Sequence, residues 1–217
     1  MKFKSIVLFF LFAAFNSCQP KWQPLFNSDL SNAMDTKGVW SFQDEILTAS
    51  EDACVFTAVE YKNFELDLEF KNEQGTNSGV IVYCTNREDW IPNSVEIQIS
   101  DDYYFEDKDW VPNYMCGGIF GHLPPSKTLV KKAGEWNHMN IRCFGQQIAV
   151  QLNGEVSADM DMSLWTSGTK NPDGSAIPSW LPKPFAELPT KGYIGFQGKH
   201  GEANIYFRNI KISSIEK

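Results

Sequence analysis

The sequence predicts an all-β protein, an antiparallel sandwich of two sheets. Three observations carry that expectation. Short apolar–polar alternations recur along the chain, turn residues separate them, and no stretch keeps a long helical period. About 200 residues of such strands fit two packed sheets. Their irregular spacing and long loops favour a sandwich over a closed barrel.

The first residues read as an export signal. Lys2 and Lys4 form a basic start, residues 6–15 are almost unbroken apolar, and small and polar residues lead into Cys18. That run is too short to span a bilayer and has the flanks of a secretory signal, so residues 1–17 are set apart from the fold. Phe15-Asn16-Ser17-Cys18 resembles a bacterial lipobox, which implies lipidation at Cys18 and a mature part, residues 18–217, that is a single domain. A plain signal peptide cut nearby is the alternative. Removing residues 1–17 takes away two lysines and no acid, so the formal charge of −8 becomes −10. With no cluster of Lys and Arg, an acidic surface argues against nucleic acid and against anionic lipid. Membrane contact is expected only through the N-terminal lipid. The expected location is exported, lipid-anchored and periplasm-facing.

Four further cysteines, Cys54, Cys84, Cys116 and Cys143, are an even number for an oxidising compartment, but their spacing names no partners and matches no zinc pattern. Each lies in or beside an expected strand, where buried thiols are common.

Residues 64–71 alternate strictly, apolar on one face and charged on the other, which predicts a half-buried antiparallel strand. Residues 79–84 and 94–99 are rich in β-formers. Residues 137–144 and 147–152 flank Gly145-Gln146 as a hairpin, and Asn153-Gly154 makes a second tight turn, since both residues tolerate positive φ. Residues 192–197 and 203–213 read as the last strands. Helices should be few and short.

Two long segments lack strand character. Residues 101–117 mix Tyr103, Tyr104, Phe105, Trp110 and Tyr114 with acids, and residues 163–189 carry Trp165, Trp180 and several prolines. Loops of this length in a compact domain are usually functional or disordered, and their aromatic content speaks against disorder. Pyranose C–H faces pack on indole and phenol rings, so Trp110 and Trp165 are candidate sugar contacts. The bland alternative for each is satellite core beneath its loop.

The segment Val95-Glu96-Ile97-Gln98-Ile99-Ser100-Asp101 places Glu96 and Gln98 on one strand face, with Val95, Ile97 and Ile99 on the other. Two polar side chains on a rigid sheet suit sugar hydroxyls or proton transfer. Asp101 has the opposite parity and joins that face only if the strand end turns it.

Several further segments stand in register with this one. They are Pro24-Leu25-Phe26-Asn27, Asn77-Ser78-Gly79-Val80, Gly117-Gly118-Ile119-Phe120-Gly121-His122-Leu123-Pro124-Pro125, Lys132-Ala133-Gly134-Glu135-Trp136-Asn137, Gly195-Phe196-Gln197-Gly198-Lys199-His200-Gly201 and Phe207-Arg208-Asn209-Ile210. In this order, over residues 22–212, the chain resembles the 3-keto-disaccharide hydrolase domain family. The resemblance implies a concanavalin-like jelly roll that cleaves glycosides oxidised at C3. Where Lys199 stands the family usually has an acid, and the 101–117 loop is longer than usual.

A C3 ketone acidifies the C2 proton, so a base can remove it and the C1 substituent can leave by elimination; water added later gives net hydrolysis. Such a site needs a base near neutral pKa, donors for the enolate and an acid for the leaving oxygen. Glu96 and His200 are the candidate catalytic pair, in either order. Lys132 and Arg208 are candidate enolate donors, and Asn77, Gln98 and Asp101 candidate hydroxyl contacts. No cofactor is required, although a divalent metal could act as Lewis acid, held by Glu96, Asp101 and His200. The expected partner is an oligosaccharide or glycoside.

Two alternatives stand beside this. Glu-x-Gln-x-x-Asp resembles the Glu-x-Asp-x-x-Glu strand of laminarinase-type retaining glycosidases, with an amide in the central position. A non-catalytic carbohydrate-binding lipoprotein is the other, since jelly rolls serve lectins as well as enzymes.

Overall fold

The computed structural model describes residues 21–216 except Lys37, Asp107, Asp109 and Trp110. The expected signal region, the lipidation site Cys18 and the candidate sugar contact Trp110 lie outside the described residues.

Thirteen strands are present among the described residues. In chain order they are β1 (Gln23–Pro24), β2 (Ala33–Met34), β3 (Trp40–Gln43), β4 (Ile46–Ala49), β5 (Cys54–Thr57), β6 (Phe64–Asn72), β7 (Asn77–Cys84), β8 (Val95–Ser100), β9 (Trp136–Phe144), β10 (Gln147–Leu152), β11 (Glu155–Asp161), β12 (Tyr193–Gln197) and β13 (Ile205–Ser214). One sheet has the order β11-β10-β9-β6-β13-β4-β3, with β1 also pairing β13; the other runs β2-β5-β12-β7-β8. The pairings are antiparallel, and many join strands distant in sequence, as in a jelly roll.

Strand β6 shows why these residues form this fold. Phe64, Leu66, Leu68 and Phe70 are fully buried in the layer between the sheets, and each contributes roughly 1.5–3 kcal/mol by leaving water. Glu65, Asp67, Glu69 and Lys71 alternate with them and pair outward with Arg142, Asn140, His138 and Trp136 of β9. From the other sheet Val80, Val82, Val95, Ile97, Ile99, Ile194 and Phe196 close the same core. The expected hairpin is β9–β10, and Asn153 (φ 53°) and Gly154 (φ 86°) make the next turn into β11.

β7 breaks its own alternation. Tyr83 has φ 57°, and the register against β12 slips there by one residue. This bulge turns the Tyr83 ring edge-on to Phe64 in the core, and its hydroxyl donates to the Gly145 carbonyl at 2.9 Å. The next residue, Cys84, packs on the outer face with Phe56 and Ile81.

The short strands β1 to β5, and β11, are not marked by the sequence pattern. In β1 to β5 two to four residues hold too few alternations to show a period, and in β11, seven residues long, a register shift against β10 interrupts the alternation; their partners fix them instead. Among the described residues helix is confined to one turn, α1 (Asp102–Phe105), and a few 3-10 turns. No disulfide links Cys54, Cys84, Cys116 and Cys143; burial pushes the Cys84 thiol up to about 11 and the Cys116 and Cys143 thiols up as well. Among the described residues no helix is long and apolar enough to cross a membrane.

Candidate active site

Strand β8 carries the candidate acid. Val95, Ile97 and Ile99 fill the core, so Glu96 and Gln98 project from the outer face of the five-stranded sheet. Across the ladder Glu96 faces Ile81, and Gln98 faces Gly79. The outer side of Gly79 is where the Glu96 side chain lies. A Cβ on Gly79 would come within 2.8 Å of Glu96 Cγ and 2.9 Å of Cδ. The absent side chain at Gly79 is therefore the space that the Glu96 carboxyl fills.

The other edge of β8 is closed by residues 117–120. The Gly117 N–H donates to the Gln98 carbonyl (2.8 Å), the Gln98 N–H to the Gly118 carbonyl (3.0 Å), and the Phe120 N–H to the Glu96 carbonyl (2.9 Å). This short antiparallel ladder sets Phe120 beside Glu96. Glu96 is left 9% exposed, and its carboxyl has no hydrogen-bond or ion-pair partner among the described residues. Desolvation without compensation disfavours the carboxylate, and burial pushes its pKa up to about 8. A carboxylic acid poised near neutrality, on a sheet face, is a group able to give or take a proton at physiological pH.

Beside it the amides form a pair. Gln98 Nε2 donates to Asn77 Oδ1 at 2.8 Å, which leaves the Gln98 carbonyl oxygen and the Asn77 NH2 outside that bond, with Gln98 buried and Asn77 partly exposed. The loop after β12 brings His200 to the same strand, its backbone N–H donating to the Asn77 carbonyl at 3.1 Å. The exposed imidazole meets Asp52 through Nδ1, 2.7 Å from Oδ2, so Nε2 is its outward nitrogen. Glu96, Gln98 and Asn77 thus belong to one sheet, and His200 stands in the loop after β12, on the side of β7 away from β8. Lys132 stands at the same end of the sandwich, its ammonium 6.0 Å from the ring centre of Tyr103 in α1.

Three expected site residues do not join this group. Arg208 lies on β13 of the other sheet and points out of its far face. It is bound to Glu69 through two N–H···O contacts of 3.0 and 3.1 Å and stacked 3.9 Å over Trp136. It is a paired structural cation, and its residue type gave no hint of the sheet it would occupy. Asp101 ends β8 turned toward the β6–β7 turn, where its Oδ2 accepts the Gly75 N–H at 3.0 Å; it is buried and remote from solvent. Trp165 is 6% exposed, sits in the core cluster and donates its indole N–H to Asn171, so it is satellite core and offers no ring face to a sugar. Sequence reasoning in turn missed the part played by Gly79 and by residues 117–120. The small residue opposite a strand polar pair was the available signal, and the edge ladder left none.

The metal reading also changes. Asp101 is turned away from Glu96, and among the described residues no three His, Cys, Asp or Glu side chains gather to hold an ion. A separate cleft of about 1000 Å³ lies over the outer face of the eight-stranded sheet, along Trp22, Asp67, Glu69, His138 and Lys211. Of its carboxylates, Asp67 is matched by His138 (2.9 Å) and Lys211 (3.2 Å), and Glu69 by Arg208 and Asn209.

The sandwich has its relatives among glycosyl hydrolase-like proteins. The chain belongs to the 3-keto-alpha-glucoside-1,2-lyase-like domain family, whose model matches residues 21–213. It is similar to a crystal structure from Parabacteroides distasonis provisionally assigned as a glycosyl hydrolase. That protein is 61% identical, with a TM-score of 0.87 over 90% of this chain and 100% of that one. A 3-keto-disaccharide hydrolase of Bacteroides thetaiotaomicron is 27% identical over 181 residues, 73% of this chain and 61% of that protein; the chain thus spans about three fifths of that relative's length. The carbohydrate-binding module CBM66 of Bacillus subtilis, 12% identical with a TM-score of 0.52 over 87% of this chain and 99% of that one, shares the fold alone.

Proposed function

We propose that this protein cleaves 3-keto-glycosides, with Glu96 as the proton-transferring group. The observation that carries the reading is the unpartnered Glu96 carboxyl, held near neutral pKa over Gly79 and next to the Gln98–Asn77 amides. Family membership and the Bacteroides relative supply the substrate class.

In this scheme ionised Glu96 takes the proton from C2, and the electron pair passes into the C3 carbonyl as an enolate. The enolate collapses to C1=C2 as the C1–O bond breaks, and the leaving oxygen takes a proton from His200 Nε2. Water then adds across the double bond, its OH going to C1 and its proton back to His200 Nε2, while the proton on Glu96 returns to C2, so the sum is hydrolysis. Asn77 and Gln98 hold the sugar hydroxyls, and Lys132 at the rim stabilises the enolate charge. A raised pKa makes Glu96 a stronger base once ionised, at the cost of a smaller ionised fraction at pH 7. No cofactor enters these steps. A retaining glycosidase needs a second carboxyl about 5–5.5 Å from the first, and Asp101, engaged with Gly75, does not fill that place.

The test is release of the leaving sugar from a 3-keto disaccharide and from its unoxidised parent, with and without chelator. Cleavage is expected only after C3 oxidation, to fall on the order of 100-fold or more in Glu96→Gln, and to rise with pH through about 8. Equal turnover of the unoxidised sugar, or a fully active Glu96→Gln, would overturn the proposal; loss of rate on chelation would add a metal to it. Export and anchoring at Cys18 belong to the same proposal, checked by palmitate labelling of wild type against Cys18→Ala.

A further inference from the structure

Gly79, over which the Glu96 carboxyl lies, has a glutamine on either side. On β8 it faces Gln98. On β12 the register against β7 pairs Gly195 with Ile81 and Phe196 with Val80, so the next step sets Gln197 opposite Gly79. The Ser78 hydroxyl donates to the Gln197 carbonyl oxygen at 2.7 Å and ties the two strands together there. Phe196 fills the core, so the Gln197 side chain projects from the same outer face as Glu96 and Gln98. Directly opposed residues hold their Cβ positions about 4.5–5.5 Å apart, which brings the Gln197 amide within reach of the space above Gly79.

The two glutamines are not equivalent. Gln98 is 1% exposed and spends an N–H on Asn77. Gln197 is half-buried, and its amide makes no hydrogen bond among the described residues, so its N–H groups and carbonyl oxygen are open to a ligand. Three residues further along the chain stands His200, bound through its backbone N–H to Asn77. Gln197 therefore lies between the seat of Glu96 and the loop of His200, whereas Gln98 lies across Gly79 from both that loop and β12. In the proposed reaction Glu96 works at C2 and His200 at the oxygen on C1. Of these two carbons only C2 carries a hydroxyl, and that hydroxyl is vicinal to the leaving oxygen. It is the substrate group set between the atoms that Glu96 and His200 serve, as Gln197 is set between the two side chains.

We infer that Gln197 binds the 2-hydroxyl of the substrate and makes that hydroxyl a determinant of specificity. The inference rests on the proposed function and narrows it, from 3-keto-glycosides in general to those with a free hydroxyl at C2. A site that hydrogen-bonds a substrate hydroxyl discriminates against the analogue lacking it, because its own polar group is then left unpaired. Glycosides with hydrogen at C2 are therefore poorer substrates.

The test sets substrate against side chain. In the full chain, kcat/KM is measured for wild type, Gln197→Met and Gln197→Ala on a 3-keto glucoside and on its 2-deoxy counterpart, which keeps a C2 proton and the C1 leaving group. Methionine preserves most of the glutamine's volume and removes its hydrogen bonds. Wild type is expected to prefer the 2-hydroxy compound. That preference is expected to fall about tenfold in both variants, the scale of one hydrogen bond, through loss on the 2-hydroxy compound alone. Equal losses on the two compounds would make Gln197 a packing residue and overturn the inference, and so would an unchanged preference. If wild type turns over neither compound, the proposed chemistry fails and the inference falls with it. Turnover by wild type with no role for Gln197 removes the inference and leaves the chemistry standing.

Discussion

Replacing Glu96 by glutamine should change how stability depends on pH, and the structure fixes both sign and size. In the unfolded chain the carboxyl titrates near its ordinary 4.5; in the fold it titrates at about 8 because it is desolvated and unpaired. Between these values the folded state holds a proton that the unfolded state has released. Stability therefore falls as pH rises through that window. At about 1.36 kcal/mol per pH unit, the loss reaches at most about 5 kcal/mol above pH 8, a large share of the ~5–15 kcal/mol typical of a domain. Glutamine has nearly the same shape and no charge to desolvate, so the variant lacks this slope. A buried amide without a partner adds an offset of about 1–3 kcal/mol, but that offset does not vary with pH. Urea unfolding of both proteins at pH 5 and pH 9 is the assay. The difference in unfolding free energy should shift by several kcal/mol in favour of the variant at pH 9. Parallel pH dependences would mean that the carboxylate is solvated or paired, and the account of the site would fail with it.

The remaining predictions concern its surroundings. Gly79→Ala drives the Glu96 side chain from its seat, so kcat/KM on a 3-keto disaccharide should fall about 100-fold while far-UV circular dichroism is kept; wild-type activity would show that the carboxyl does not occupy that space. His122 is buried against Phe185, its Nδ1 2.8 Å from the Phe120 carbonyl oxygen, and burial lowers its pKa to about 4. The unfolded chain therefore takes up a proton first as pH falls from 6.5 to 4, costing up to about 3 kcal/mol. His122→Phe should flatten that acid slope in urea melts, and an unaltered slope refutes it. Arg208→Gln should cost about 1 kcal/mol of stability, because its pair with Glu69 is only half buried, and should keep wild-type kcat/KM. A large kinetic loss would return Arg208 to the site.

Strands with enough residues to show a period were legible without coordinates. β6, β9 and β10 have it, and so does the alternation of Val95, Ile97 and Ile99 that puts Glu96 and Gln98 together. The Asn153-Gly154 turn was legible too, through backbone preference alone. The family match likewise follows residue order, which the chain itself carries.

Which sheet each strand joins was not legible, because partners are chosen by long-range burial. Arg208 and His200 come from neighbouring segments, yet β13 enters the eight-stranded sheet and the loop after β12 stays with the five-stranded one. Burial decides chemistry in the same way. Glu96 is an ordinary carboxyl until Gly79 and residues 117–120 exclude its water, and Trp165 and Trp180 differ only in which of them the core absorbs. Local pattern thus specifies faces and turns, within reach of a few residues. Proximity and desolvation arise only once distant segments pack.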